Sequence, residues 1–308
     1  MKRALMAAAL VLAACGDIAS NREPGSADGP WNGAPELTPH FPPPTNLPAF
    51  FDCVRASGGA IVSAHRGGPA RGYAENAVAT FERTLSQAPA FLEVDVNQTR
   101  DGALVLMHDD TVDRTTEGAG ALSAMTLQAF QALRLQDEDG TTLDQHPPTL
   151  RQALDWADGR AILELDIKRS VSYEDAVREV EEAGAMDRVV FITYNIDGAA
   201  RLARLAPGAM IYTTISGARD LDVLERRRVN LNHIVAWLGT EAPDARLVEA
   251  LAARGVEARF GMFGEGGDFA NAARVGAQIV AVDDAAEAAR DLDAADGEEG
   301  YAALRCAS

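Results

Sequence analysis

Three short stretches carry residues whose types and spacing suit chemistry on a charged substrate. The first, Ile61-Val62-Ser63-Ala64-His65-Arg66-Gly67-Gly68, is an apolar run that ends in a histidine, an arginine and two glycines. The second, Phe91-Leu92-Glu93-Val94-Asp95-Val96, places carboxylates where a buried strand should be apolar, and Leu104-Val105-Leu106-Met107-His108-Asp109 follows it with a second histidine. In the third, Ile162-Leu163-Glu164-Leu165-Asp166-Ile167-Lys168, the two-residue strand period sets Glu164, Asp166 and Lys168 on one face, as it does Glu93 and Asp95. A carboxylate buried without a partner is costly, so these acids need a cation among them. Oxygen ligands are the donors offered in number, which favours a hard divalent ion, Ca²⁺ or Mg²⁺, over zinc. Such an ion together with Arg66 and Lys168 makes a pocket for a phosphate, with His65 and His108 as an acid and a base. Phosphodiester cleavage is the reaction class that follows.

The elements that must position these residues are legible as an alternation. From about residue 50, short apolar runs near 60–65, 91–96 with an extension at 103–108, 160–167, 188–193, 209–214, 232–237, 256–261 and 278–282 read as strands. Stretches of helical period separate them, at 75–87, 149–157, 173–183, 199–205, 220–227, 244–254 and 269–275. Eight strand-helix units in one α/β domain fit a closed (β/α)8 TIM barrel better than an open doubly wound sheet, which would want a glycine fingerprint at its switch point. The carboxyl ends of the strands then gather the chemistry at one mouth: His65 and Arg66 from the first, Glu93, Asp95 and His108 from the second, Asp166 and Lys168 from the third. Residues 109–148 interrupt the alternation with one short helix expected at 127–135, an insertion that would lie over the mouth and shape access to it.

The remainder of the 308-residue chain bounds where such a domain works. Lys2 and Arg3 precede an apolar run from Ala4 to Ala14 that is too short to span a bilayer and has the form of a secretory leader, residues 1–14. Its end, Leu12-Ala13-Ala14-Cys15, resembles the bacterial lipoprotein box, in which the cysteine becomes a lipidated N-terminus; Gly16 after it resembles lipoproteins sent to an outer membrane. The expectation is a protein of the bacterial cell envelope, lipid-anchored through Cys15. The alternative is a plain signal peptide with an incidental cysteine. Residues 15–49 hold eight of the fourteen prolines and no periodic apolar face, so they read as a tether, with His40 solvated and without function. Without Lys2 and Arg3 the mature chain would carry 26 basic against 46 acidic side chains, a net charge of −20, which argues against nucleic acid or an anionic membrane surface as a partner. Cys53 and Cys306 are the remaining cysteines. In an oxidising compartment an even pair is usually bridged, and barrel closure would bring the two together, although two free buried thiols are the alternative.

The same residues carry a resemblance. His65-Arg66-Gly67, Glu75-Asn76, Glu93-Val94-Asp95, Thr99-Arg100-Asp101-Gly102, His108-Asp109, Arg114-Thr115-Thr116 and Gly118-Ala119-Gly120 are collinear with, and similar to, the glycerophosphodiester phosphodiesterase family, and the likeness continues weakly through Thr193-Tyr194-Asn195 and Val282-Asp283-Asp284. The resemblance implies a (β/α)8 barrel and a divalent metal on Glu93, Asp95 and an acid of the third strand. It further implies His65 and His108 as the acid-base pair, Arg66 and Lys168 as grips on the phosphate, and hydrolysis of a small-molecule glycerophosphodiester to glycerol 3-phosphate and an alcohol. Glu75 is similar to a glutamate of that family's site region, or else is a residue of a helix's first turn. Two departures stand out. Where the family usually reads Glu-x-Lys this chain has Asp166-Ile167-Lys168, so Asp166 is the expected third metal ligand, with Glu164 as a deeper alternative that would more readily pair inside the barrel. Asp-x-Lys also resembles the sphingomyelinase D-like phospholipases, which would act on lysolipids or sphingolipids. In the seventh strand a tryptophan-containing segment is replaced by Ala258-Arg259-Phe260-Gly261-Met262-Phe263. A barrel that binds a phosphate ligand without turning it over is the non-enzyme alternative. The alcohol, the choice between Ca²⁺ and Mg²⁺ and the oligomeric state are not specified by these residues.

Overall fold

A computed structural model describes residues 43–241, 244–264, 266–296 and 302–307. The leader, Cys15, His40 and the tether up to residue 42 lie outside the described residues. Among the described residues the apolar runs form strands β1 (Ile61–Ala64), β2 (Phe91–Gln98), β3 (Leu104–Leu106), β4 (Leu163–Ile167), β5 (Val189–Thr193), β6 (Met210–Thr214), β7 (Ile234–Trp237), β8 (Glu257–Met262) and β9 (Ile279–Val282). They are buried on both faces along nearly their whole length, as strands of a covered parallel sheet must be. All but β3 are parallel, and β1 pairs with both β2 and β9, which closes an eight-stranded barrel. The chain is therefore the α/β TIM barrel that the alternation implies. The run at 103–108 is no continuation of β2: it turns back through Gly102, at φ 85°, and β3 pairs antiparallel with the far end of β2.

Helices α1 (Leu47–Ser57), α2 (Val78–Gln87), α3 (Leu127–Gln131), α4 (Leu150–Trp156), α5 (Tyr173–Glu182), α6 (Ile196–Leu205), α7 (Ala218–Arg226), α8 (Ala245–Ala252), α9 (Phe269–Arg274) and α10 (Ala285–Asp296) accompany the strands. Neither α1 nor α10 is among the expected helices. The start of α1 shows why: the side chain of Asn46 caps it by accepting from the Ala49 amide, and Pro48 stands in its first turn, where a proline favours a helix. A tether running to residue 49 is thus corrected, because Pro48 belongs to a helix start and the folded domain begins at or before Leu47. Phe50 and Phe51 of α1 pack against Phe91 at the start of β2 and Val54 is buried in the same core, each contributing about 1.5 to 3 kcal/mol by leaving water. This helix covers the amino-terminal end of the barrel, opposite the mouth.

The structure joins Cys53, on α1, to Cys306 by a disulfide across 253 residues. Cross-linking the first and last parts of the fold restricts the unfolded chain and contributes about 2 to 4 kcal/mol in the chain-entropy account. The insertion after β3 has its own small core of Val105, Met107, Val112, Leu122 and Phe130, and it rejoins the barrel where Thr149 bridges to Val105. Among the described residues, no helix is long and apolar enough to cross a membrane.

Candidate active site

The parallel ladder between β2 and β4 sets Glu93 opposite Glu164 and Asp95 opposite Asp166. Alternation points these side chains into the barrel, where Glu164 parts from the other three. Glu164, fully buried, accepts from Ser63 Oγ at 2.5 Å, Tyr212 Oη at 2.9 Å and Arg259 Nη2 at 3.0 Å. It is saturated inside the barrel and stands outside the metal cluster. Glu93, Asp95 and Asp166 instead each offer an oxygen within 4.8 Å of the others. Burial, with Asp95 and Asp166 close by, pushes the Glu93 carboxyl well above the carboxylate range. Three gathered carboxylates, with Glu93 forced toward its neutral form, make a donor set that suits a hard divalent cation, whose charge would favour the ionised form of Glu93.

The two expected phosphate grips are both engaged with these acids. Lys168 Nζ lies 2.7 Å from Asp95 Oδ1 and 2.6 Å from Asp166 Oδ2. Burial works against charge on Lys168 and on Asp95 alike, but their mutual attraction outweighs it, so the lysine is raised and the aspartate lowered from their ordinary values. Asn76 grips Asp95 from the other side, donating to Oδ2 at 2.7 Å and accepting from the Asp95 amide at 2.9 Å. Tyr194 donates to Asp166 Oδ1 at 2.5 Å. Arg66 follows a tight turn at φ 51°, a left-handed conformation costly to a side chain of its size. The turn is held because the Arg66 amide donates to Glu93 Oε2 at 2.7 Å and its carbonyl accepts from the Asn76 amide at 2.9 Å. Gly67, at φ 82°, completes it, and a Cβ there would fall 2.3 Å from the Phe81 ring.

Each histidine is oriented by a carboxylate on its Nδ1. His65 meets Asp283 Oδ1, beyond the end of β9, at 2.9 Å, and His108 meets Asp109 Oδ1 at 2.6 Å. An ionised carboxylate accepts only, so Nδ1 carries the proton and Nε2 is left for chemistry. The bond from His65 keeps Asp283 below its usual range, and that from Arg114 holds Asp109 down to about 2. Glu75 stands ahead of α2, which begins only at Val78, so it is no first-turn residue of that helix. It accepts from Arg66 Nη1 at 2.9 Å and from Arg114 Nη1 and Nη2 at 2.7 and 2.9 Å.

His65 separates two cavities. One of about 410 Å³ runs under the insertion past Arg66, Glu75 and Arg114; the other, of about 220 Å³, is walled by Tyr194, Trp237 and Phe263 and floored by Arg259 beside Glu93 and Asp166. The His65 and Phe263 rings lie 4.7 Å apart. Gly261 is needed for this wall, since a Cβ there would meet both Trp237 and Phe263 at 2.6 Å.

Comparison with known proteins decides the family. The model of the Glycerophosphoryl diester phosphodiesterase family matches residues 65–259. The chain belongs to that family. A Glycerophosphodiester phosphodiesterase of Caldanaerobacter subterraneus is 29% identical over 154 residues, 48% of this chain and 63% of the relative, and Glycerophosphodiester phosphodiesterase 1 of Rattus norvegicus is 39% identical over 97 residues, 30% of this chain and 28% of the relative. The chain thus spans under two thirds of the length of these curated relatives. A solved Glycerophosphoryl diester phosphodiesterase structure from Parabacteroides distasonis superimposes with a TM-score of 0.73 at 27% identity, covering 82% of this chain and 93% of its own. An Oleispira antarctica phosphodiesterase, in complex with the product sn-glycerol-3-phosphate, shares the fold with a TM-score of 0.63 at 20% identity, covering 78% and 99%.

Within this glycerophosphoryl diester phosphodiesterase fold, His65, Arg66, Glu93, Asp95, His108, Asp166 and Lys168 come to one mouth, whereas Glu75 joins two arginines and Glu164 stays below. The residues that sequence reasoning gave no role are Asn76, Arg114, Tyr194, Asp283 and Arg259. The first four lie in segments that carry the family resemblance, and Asp283 directly follows a strand end, where a histidine's partner could have been sought. Arg259 had its only signal in the altered segment 258–263.

Proposed function

We propose that this protein hydrolyses glycerophosphodiesters to glycerol 3-phosphate and an alcohol, with a divalent ion on Glu93, Asp95 and Asp166. The observation that carries this reading is the cluster of three inward carboxylates on β2 and β4, flanked by two histidines whose Nδ1 atoms are each held by an aspartate. When bound, the ion would neutralise charge on the phosphoryl oxygens. Arg66 and Lys168 add to that neutralisation and fix the diester between the histidines. His65 shares the tight turn with Arg66, so its free Nε2 is the base that takes a proton from water or from the substrate's glycerol hydroxyl. His108 gives a proton to the departing oxygen, so one proton is taken and one returned in each displacement. Attack by water gives glycerol 3-phosphate at once, whereas attack by the glycerol hydroxyl gives a cyclic phosphate that water must open in a second displacement. The names of the relatives and the glycerol phosphate bound to the Oleispira antarctica protein support the same substrate class.

A panel of glycerophosphocholine, glycerophosphoethanolamine and lysophosphatidylcholine, each with Ca²⁺, with Mg²⁺ and with a chelator, tests the reading. Release of glycerol 3-phosphate from the first two, abolished by the chelator, is expected. Turnover of the lysolipid alone would turn the reading toward a phospholipase D-like enzyme, and binding without turnover would make the protein a receptor for phosphodiesters.

We further infer from Leu12-Ala13-Ala14-Cys15 that the protein is anchored by lipid in a bacterial envelope, joined to the barrel by the proline-rich segment. Cys15→Ser is expected to release it from membranes without altering activity. A variant that still sediments with membranes in high salt overturns the anchor.

A further inference from the structure

The insertion carries one side chain that reaches back into the machinery. Arg114 donates through Nε to Asp109 Oδ2 at 2.7 Å and through Nη1 and Nη2 to the two oxygens of Glu75 at 2.7 and 2.9 Å. Asp109 uses its other oxygen on His108 Nδ1, and Glu75 shares Oε2 with Arg66 Nη1. A single guanidinium therefore closes a chain of contacts from His108 through Asp109, Arg114 and Glu75 to Arg66. The two histidines differ in this respect. Asp283, the partner of His65, is seated by the Gly264 amide on Oδ2 at 2.9 Å, so backbone fixes it. Asp109 adjoins His108 in the chain, its side chain is 28% exposed, and among the described residues its Oδ2 is held by Arg114 alone. Only a planar fork can meet two carboxylates from three nitrogens at once; a lysine ammonium offers a point charge without that geometry.

We propose that Arg114 is a positioning residue that acts on the reaction through Asp109, holding His108 in its Nδ1-protonated tautomer with Nε2 turned to the departing oxygen. Arg114 touches neither the carboxylate cluster nor the site of bond breaking. Its effect is confined to the histidine on the insertion side, and it fixes that histidine relative to Arg66 through Glu75. The inference rests on the proposed hydrolysis for its kinetic consequence but not for its structural one, and two measurements keep these apart.

The first is the ¹H–¹⁵N correlation spectrum of the imidazole nitrogens in the full protein, compared among wild type, Arg114→Gln and Arg114→Lys. Wild type is expected to show His108 as a single tautomer protonated on Nδ1. Arg114→Gln should shift His108 toward a mixture of tautomers while leaving His65 unchanged, and Arg114→Lys should fall between. The second is turnover of two diesters. Loss of an aligned proton donor is felt by a natural alcohol and hardly by p-nitrophenolate, so Arg114→Gln should lose about 10- to 100-fold in kcat on glycerophosphocholine and under about 3-fold on a p-nitrophenyl phosphodiester. His108 signals unchanged in Arg114→Gln, or equal losses on both substrates, overturn the proposal. If wild type turns over neither diester, the hydrolase reading falls, and the imidazole spectra alone still decide whether Arg114 positions His108.

Discussion

Asp95 and Asp166 stand directly opposite each other in the ladder between β2 and β4, and one ammonium, Lys168 Nζ, lies within hydrogen-bonding distance of both. One rung deeper the same two strands oppose Glu93 and Glu164, and only Glu93 shares the cluster. Of the two acids on β4, Asp166 is the one that joins the cluster that could hold an ion. Asp166→Ala is expected to lose bound divalent ion and at least about 100-fold in activity, beyond the loss usual for an outer-shell partner, whereas Glu164→Gln should retain the metal. Metal analysis of the purified variants checks this, and ion retained in the first but lost in the second would exchange the two residues.

Glu164 has a different use, which predicts a different defect. It is the counter-charge of Arg259, whose guanidinium is buried between the rings of Tyr212 and Trp237 at 5.2 and 5.0 Å. Removing one partner of a buried pair leaves the other charge uncompensated, so Glu164→Ala should lower the unfolding free energy by about 3 to 5 kcal/mol. Urea unfolding at neutral pH would measure it. A loss below about 1 kcal/mol would mean that water replaces the carboxylate at the barrel centre.

The barrel was legible because each buried strand announces itself by a continuous apolar run, and the inward acids broke those runs at the positions of the cluster that could hold an ion. Alternation places Asp166 one layer from Glu164 but equally Asp95 one layer from Glu93, so Glu164 stayed open as an alternative ligand until the fold brought Ser63, Tyr212 and Arg259 to it. What sequence could not supply was pairing among loops. Arg114 is an exposed arginine in an acidic chain until the fold brings Glu75 and Asp109 to it from 39 and 5 residues away. Asp283 meets His65 across 218 residues only because the barrel closes. The helix α1 was hidden for a different reason, since proline and asparagine serve equally in an extended tether and at a helix start.

Asp109 makes a prediction in pH. Its carboxyl lies at about 2 in the folded protein against an ordinary value of 3.8, chiefly through the bond from Arg114. A depressed carboxyl stabilises the fold above pH 3.8, and the contribution is lost as pH falls toward 2. It amounts to at most about 2 kcal/mol, trimmed by solvent because the side chain is partly exposed. Asp109→Asn should therefore be less stable than wild type at pH 6, with the gap closing between pH 4 and 2. Chemical unfolding across that range tests it, and a gap that is constant with pH would show that the ion pair contributes nothing to the fold.

The roles of the two histidines can be told apart by the leaving group. His65 ends β1 beside Arg66, within the tight turn that the Arg66 amide anchors to Glu93, and its ring is seated on the barrel by Asp283. In the proposed reaction it is the base beside the attacked phosphorus, which every substrate needs. His108 comes from beyond β3 under the insertion, seated by Asp109, and is the proposed donor to the departing oxygen. A natural alcohol leaves badly as an alkoxide, while p-nitrophenolate leaves without a proton. His108→Ala is therefore expected to lose about 100-fold or more on glycerophosphocholine yet keep much of its rate on a p-nitrophenyl phosphodiester, whereas His65→Ala should lose both, within the 10²- to 10⁴-fold that positioned acids and bases supply. Steady-state kcat on the two substrates checks the assignment. The opposite pattern would exchange the two histidines, and equal losses in His108→Ala would mean that its proton is not the one the leaving oxygen takes.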